Sequence, residues 1–260
     1  MNIVVLAKQV PDPEAFVGIA GEGRSLEIEQ KFAMNLFDEV AVEEALRLRE
    51  KHGGKVRVIT LGAARAIEVL RTAIAMGADE ALLLDDEAFL EGDGTSTALA
   101  LSRAASKEPF DIILAGRQAI DDDRGEVGPM VAQFLSLPHV GGIVKLDCDG
   151  GKAKAESETE GGHEVVESQL PAVFTVERGL NEPRTAPITG VMKAMRATIL
   201  KMTPVDLGLT LSEVGSLGAK VRVERYLAPR KRQEVRLIPG EPADAALEAA
   251  RILVDMERVI

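Results

Sequence analysis

The chain has 260 residues, enough for one large α/β domain, or a domain with an appendage, and a sizeable core. A net charge of −11 argues against a nucleic-acid or anionic-membrane surface. Aromatic residues make up only 3 %, with no Trp and Tyr226 the sole tyrosine, so a cofactor stacked between rings is not expected.

Ile3 to Ala7 reads as a first buried strand, ended by Lys8 to Pro13, and Ala15 to Glu29 as glycine-rich and irregular. Asn35, with Asp38 three positions on, reads as the N-cap of a helix reaching about Lys51, with Glu43 and Arg47 as a supporting i,i+4 pair. Lys55 to Leu61 is a β-branched strand, Ala63 to Met76 a helix stopped at Gly77, Ala81 to Leu84 a strand and Thr95 to Ser106 a helix. Ile112 to Ala115 is a further buried strand, and Val127, Met130, Val131, Phe134 and Leu135 mark the next helix. This alternation predicts a three-layer α/β/α fold around a mostly parallel sheet.

After Pro138 the rhythm changes. Ile143 to Cys148 and Lys152 to Ser157 read as a hairpin, followed by strands at His163 to Ser168 and Ala172 to Val176. Thr203 to Pro242 shows little periodicity, and Ala243 to Met256 reads as a final helix with Pro242 in its first turn. Three parts are therefore expected: an α/β domain over residues 1–200, an extended arm over 201–241 lying on another subunit, and a C-terminal helix over 242–260. Six basic residues (Arg222, Arg225, Arg230, Lys231, Arg232, Arg236) against Glu224 and Glu234 suit an acidic partner surface or a solvated arm.

Asn2 to Ala7 is too short for a signal segment, and no run approaches the roughly 18–20 apolar residues needed to span a bilayer, so a soluble, cytoplasmic protein without membrane insertion is expected. Cys148 is the only cysteine, which excludes an internal disulfide and reads as a small apolar strand residue. His52, His139 and His163 lie far apart without ligand spacing and are expected at the surface. Asp121-Asp122-Asp123 are too close in sequence to converge on one ion, and no metal site is assigned. There is no G-x-G-x-x-G after a strand, no P-loop, no nucleophile elbow, and no acid/base pair to name as catalytic.

Two stretches carry the functional signal. In D-I-I-L-A-G-R-Q-A-I-D-D-D-R-G-E-V-G-P-M, Asp111 to Met130, a strand gives way to a glycine-bearing polar loop and then a helix. Ligands of open α/β sheets bind at such strand ends. Gly116, Gly125 and Gly128 let backbone N–H groups approach an anion, and the helix start adds positive potential. The aspartates suit ribose hydroxyls or turn and cap positions. In V-E-R-G-L-N-E-P-R-T-A-P-I-T-G-V-M-K, Val176 to Lys193, a strand enters a turn cluster and the loop Thr185 to Gly190. Ile188 there either tucks into its own core or stands exposed as an anchor for a partner pocket.

Together these stretches resemble the β (small) subunit of electron transfer flavoprotein. V-V-L-A-K-Q-V-P-D near the start, N-L-F-D-E-V-A-V-E-E-A-L-R-L from Asn35, R-T-A-I-A-M-G-A-D from Arg71, A-G-R-Q-A-I-D-D-D from Ala115, L-P-A-V from Leu170, L-N-E-P-R from Leu180 and M-K-A from Met192 occur in the family's order. The resemblance implies an adenine-nucleotide-binding fold of the universal-stress-protein-like type. It also implies a heterodimer whose α subunit carries most of the FAD site, and a structural AMP in this subunit. By position, the AMP pocket would comprise Leu6, Asn35, Leu36, Phe37, Asp38 and Leu61. It would continue through Gly116, Arg117, Gln118, Ala119, Ile120, Asp121, Asp122, Asp123, Arg124, Gly125, Glu126 and Val127. Phe37 and Pro13 fall where the family approaches the flavin ring, Pro13 departing from the aromatic residue of some members.

Ile188 and Met192 fall on the loop that docks acyl-CoA dehydrogenases, and Glu158 at an acidic residue facing the mobile flavin domain. The implied role is electron relay from a dehydrogenase to a quinone oxidoreductase, the chain itself acting as scaffold and dock. A bifurcating branch holds a second FAD in place of AMP, with NADH as donor. Asp121-Asp122-Asp123-Arg124 and Gly92-Asp93-Gly94-Thr95-Ser96-Thr97 depart from that branch, whereas Asp38 and Val127-Gly128-Pro129 resemble it. A different class, a stand-alone stress-type nucleotide-binding regulator, explains the sheet and the loop at Gly116 but neither the basic arm nor the segment Asn181 to Lys193.

Overall fold

The computed structural model describes residues 1–229, 235 and 237–256. The chain divides after Arg225 into two units, Met1–Arg225 and Tyr226–Ile260. In the first unit the chain runs β1 (Asn2–Leu6), β2 (Gln9–Pro11), β3 (Val17–Ala20), β4 (Ser25–Ile28), β5 (Phe32–Met34), α1 (Leu36–His52), β6 (Lys55–Leu61), α2 (Ile67–Met76), β7 (Glu80–Leu84), α3 (Gly94–Ala105) and β8 (Ile112–Gly116). It continues through α4 (Val127–Leu135), β9 (His139–Asp149), β10 (Lys152–Thr159), β11 (Gly162–Gln169), β12 (Ala172–Val176), α5 (Ile188–Arg196), β13 (Leu200–Met202) and α6 (Gly215–Gly218).

Nine strands form one sheet in the order β11-β10-β9-β12-β8-β1-β6-β7-β13. All neighbours from β9 to β13 pair in parallel, and β10 and β11 extend one edge as an antiparallel meander. Central strands are apolar on both faces because each successive side chain crosses the sheet. Ile3 and Val5 join the core under α1 and α2, whereas Val4 and Leu6 join the core under α3 and α4. Ile112 and Leu114 divide from Ile113 and Ala115 in the same way. The expected three-layer α/β/α fold with a mostly parallel sheet and a late hairpin is the one observed.

Three local expectations are corrected. Residues 15–29 are not irregular: β3 and β4 pair as a hairpin across Gly21–Gly23. Gln9–Pro11, expected only to end the first strand, pairs antiparallel with Phe32–Met34. Residues from 201 do not start an arm. Met202 packs at the sheet edge, and Leu207, Leu209 and Val214 are buried against the α3 side of the core, so the chain stays on its own domain to about residue 221.

The second unit contains α7 (Pro242–Arg251), starting at the expected proline and opening into a wider turn over Ile252–Met256. Of the basic cluster, Arg222 and Arg225 are exposed, while Arg230, Lys231, Arg232 and Arg236 lie outside the described residues, as do 257–260. Among the described residues no helix is long and apolar enough to cross a membrane.

Candidate functional site

In the sheet, β1 is flanked by β6 on one side and β8 on the other, and the chain turns outward in opposite directions from it. The carboxyl ends of β1 and β8 therefore open at a topological switch point, where open α/β sheets hold ligands. The loop from Gly116 to Glu126 rises from this crevice and feeds α4.

Two side chains from the start of α1 hold that loop. Asp38 accepts the backbone N–H of Gly116 on Oδ1 at 2.9 Å and that of Lys8 on Oδ2 at 2.7 Å, bolting the ends of β8 and β1 together. Asn35 donates from Nδ2 to the Gln118 carbonyl at 2.8 Å and accepts the Ile120 N–H at 3.2 Å. Asn35 stands at the N-cap position as expected, but its side chain makes no capping bond, because both its polar atoms are committed to the loop. Gly116 cannot be larger: a β-carbon there would collide with Asp38 Oδ1 and stand 2.6 Å from Phe37 Cβ. Burial pushes the Asp38 carboxyl up to about 7, outweighing the two N–H donors, Asn35 and the Lys8 charge, which pull it down.

The aspartate triplet is used within the loop. Lys8 Nζ meets Asp121 at 2.7 Å and Asp122 at 3.1 Å. Asp122 also accepts the Arg124 N–H at 3.3 Å, and Asp123, left-handed at φ 51°, accepts from Gln118 Nε2 at 2.9 Å. Of these bonds, that of Asp122 to the Arg124 N–H is a turn bond, and the others are made to side chains. Arg124 reaches Glu126 at 3.4 Å, and Glu126 lies over the first residue of α3.

The residues of the expected pocket fall in several places around the loop. Arg117, Gln118, Asp123, Arg124 and Gly125 line an open cavity of about 720 Å³ on the outer flank of the loop. Asn35, Phe37 and Asp38 sit behind it as buried supports. Leu6 and Leu61 lie at the ends of β1 and β6, packed with the α3-side core. Leu36 borders a separate groove with Val40, Asn181 and Pro183. Pro13 is exposed between β2 and β3.

Sequence reasoning missed the cavity's far wall, built from Glu177 and Arg178 after β12 and from His139, Gly141 and Gly142 of β9. Nothing in the sequence says that β12 lies beside β8; Arg178 just past a strand end was the only hint. His139, expected at the surface, is half-buried, with Nε2 3.2 Å from Thr175 Oγ1, and burial lowers its pKa. His52 is also partly covered, whereas His163 is exposed beside Glu156 at 3.2 Å. Cys148 is fully buried in β9, its thiol pushed up to about 11 by burial, as the small-apolar reading requires.

The second signalled stretch forms a helix where a loop was expected. Ile188 opens α5 directly after Pro187, which supplies no capping side chain. The question left open for Ile188 is answered by its 82 % exposure. Val191, Met192 and Met195 are also exposed, and the i, i+3, i+4, i+7 spacing makes one apolar stripe. The opposite face buries Ala194, and Arg71 Nη1 caps the helix end by donating to the Met195 carbonyl at 3.3 Å.

The approach to α5 is tied to the middle of α1. Arg184 donates to Glu43 at 2.7 and 3.1 Å and to Glu50 at 2.6 Å, and Asn181 Nδ2 donates to Glu44 at 3.0 Å and to the Val40 carbonyl at 3.1 Å. Burial raises Glu43, but the bonds from Arg184 and Arg47 prevail and hold it below the usual carboxylate range. The expected Glu43–Arg47 pair exists at 2.8 Å as part of this larger network. Glu158, expected to face the mobile flavin domain, lines the cavity from β10.

Fold and loop together define a doubly wound α/β domain with a crevice at its switch point and a separate helix that bears an exposed apolar stripe. Residues 25–207 match the family model described as the electron transfer flavoprotein domain. The chain is 37 % identical to the electron transfer flavoprotein subunit beta of Bacillus subtilis, with 100 % of both chains covered. It is 40 % identical to the subunit beta of Thermoanaerobacterium thermosaccharolyticum, over 94 % of this chain and 95 % of that one. It is 36 % identical to the caffeyl-CoA reductase-Etf complex subunit CarD of Acetobacterium woodii, over 92 % of each. The chain belongs to the electron transfer flavoprotein β-subunit family, whose members are electron-transfer proteins.

Proposed function

We propose that this chain is the small half of a heterodimeric electron transfer flavoprotein, pairing with a larger α subunit. It holds an AMP at the Gly116-to-Val127 loop as a structural ligand, and it supports an FAD bound mainly by the α subunit. The observation that carries the reading is the loop itself: a polar strand-to-helix turn at the switch crevice, its backbone held by the buried Asn35 and Asp38. Amide groups held in place before the ligand arrives bind an anion without first having to be ordered.

The α5 stripe is the dock for an acyl-CoA dehydrogenase, with Ile188 as anchor and Met192 beside it. Burial of one such side chain contributes about 1.5–3 kcal/mol, which suits a contact that must release quickly. Electrons then pass to a quinone oxidoreductase. The chain supplies no acid, base or nucleophile to this relay.

A second reading is favoured by Val127-Gly128-Pro129 at the start of α4: an FAD in place of AMP, with NADH as donor. One experiment separates the two. The chain is co-expressed with its α subunit, and the purified complex is denatured and its nucleotides counted by chromatography. One FAD and one AMP per heterodimer is the expected result. Two FAD and no AMP would move the chain to the second reading, and a chain that forms no complex and carries no flavin would refute both.

A further inference from the structure

Residues 214–221, the last to pack on the first unit, lie across the turn that joins β7 to α3. Val214 is buried. Gly215, at φ 53°, presses its backbone onto this turn so closely that a β-carbon would collide with the Ala88 carbonyl and stand 2.8 Å from that of Leu90. Ser216 N–H donates to the Leu90 carbonyl at 3.1 Å.

The final anchor is one carboxylate with two separate tasks. Asp93 Oδ1 accepts the Ser96 N–H at 3.0 Å and caps α3, while Ser96 Oγ accepts the Asp93 N–H at 3.1 Å. Asp93 Oδ2 accepts the N–H groups of Lys220 at 2.6 Å and Val221 at 3.0 Å. Asp93 is only 8 % exposed, so these bonds are shielded from water. Beyond this point the character of the chain changes: residues 221–225 belong to no helix or strand and are exposed, alternating Val221 and Val223 with Arg222 and Glu224. Such an alternation suits a segment that another surface covers.

We infer that Asp93 is a positioning residue for subunit assembly: its Oδ2 fixes the root of the arm that grips the α subunit. This rests on the heterodimer reading above and adds to it the atom that orders the arm's root at Lys220 and Val221. With the root held by a buried acceptor, Lys220 and Val221 are ordered before the partner arrives. Without it, association must also order those residues, and affinity falls by that amount.

The test uses D93N in the co-expressed heterodimer. Asparagine caps a helix nearly as well as aspartate, so Oδ1 keeps its bond to Ser96, but an amide NH₂ then faces two N–H donors. D93S is the second variant, keeping a cap and removing the second oxygen. The dissociation constant of the heterodimer is expected to rise about tenfold or more in both variants. In the isolated chain, hydrogen exchange is expected to speed up at Lys220 and Val221 while the amides within α3 keep their protection.

Equal affinity of wild type, D93N and D93S for the α subunit would overturn the inference and leave the heterodimer reading intact. Weaker association accompanied by lost protection throughout α3 in both variants would assign the effect to the cap and also overturn it. A wild-type chain that does not pair with the α subunit would instead overturn the heterodimer reading on which the inference rests.

Discussion

Helix α1 holds two segments of this protein, and it holds them by different chemistry. Its first turn grips the loop after β8 through Asn35 and Asp38, whose bonds go to backbone atoms of Lys8, Gly116, Gln118 and Ile120. Its middle grips the approach to α5 through Glu43, Glu44 and Glu50, whose bonds go chiefly to the side chains of Arg184 and Asn181. A backbone held by buried acceptors fixes where amide groups point, which an anion site needs. A segment held by ion pairs is placed as a unit while its outer face is left bare, which a docking surface needs. The contrast locates precision at the crevice and accessibility at α5.

The comparison breaks most sharply at Asp38. Asp38→Ala strands the N–H groups of Lys8 and Gly116, and it is expected to cost about 3 kcal/mol of stability and to empty the loop of nucleotide. Urea unfolding and nucleotide content check it. The same carboxyl gives a pH signature. Its folded pKa, about 7, lies above the value of an unperturbed aspartate, so the native state holds more protons than the unfolded state between roughly pH 4 and 7. Its contribution therefore becomes more favourable as pH falls through that window. Relative to Asp38→Asn, the wild type is expected to gain on the order of 2 kcal/mol between pH 7.5 and pH 5, and parallel pH curves would contradict the assignment.

At the other segment the expected losses are smaller. Arg184→Ala leaves the buried Glu43 with Arg47 as its remaining cation and the backbone N–H of residue 184, and frees Glu50. Because Arg184 is itself partly exposed, a cost of about 1–2 kcal/mol is expected, less than for a fully buried pair. Hydrogen exchange should loosen residues 178–196 while the Gly116 loop keeps its protection, which would show that the two grips are separable.

What the sequence disclosed follows the same division. The alternation of strands and helices and the polar loop after Ile112 to Ala115 were readable because each is a local pattern of period or glycine placement. The task of Asn35 was not: a cap and a loop support are both expected of an asparagine before a helix, and its true partners, Gln118 and Ile120, lie over eighty residues away. Ile188 hid its helix because Pro187 offers no capping oxygen, and the exposed stripe only appears once that helix is seen. Leu207, Leu209 and Val214 carry no regular spacing, so their burial against the core could not be told from an arm. The wall of His139 and Arg178 depended on strand order, which no local pattern encodes.

The smallest stability effect sharpens the comparison from the opposite side. Ile188 is 82 % exposed and no core residue leans on it, so Ile188→Ser should change the unfolding free energy by less than about 0.5 kcal/mol. Nucleotide content should stay at its wild-type value, since the Gly116 loop is gripped from the other end of α1. If α5 is the dock, the same substitution should weaken electron transfer from an acyl-CoA dehydrogenase about tenfold or more, in the second-order rate with the partner rather than in flavin chemistry. A stable, nucleotide-loaded variant that still accepts electrons at the wild-type rate would remove the docking role from this helix, because nothing else about Ile188 explains an aliphatic side chain held out into water.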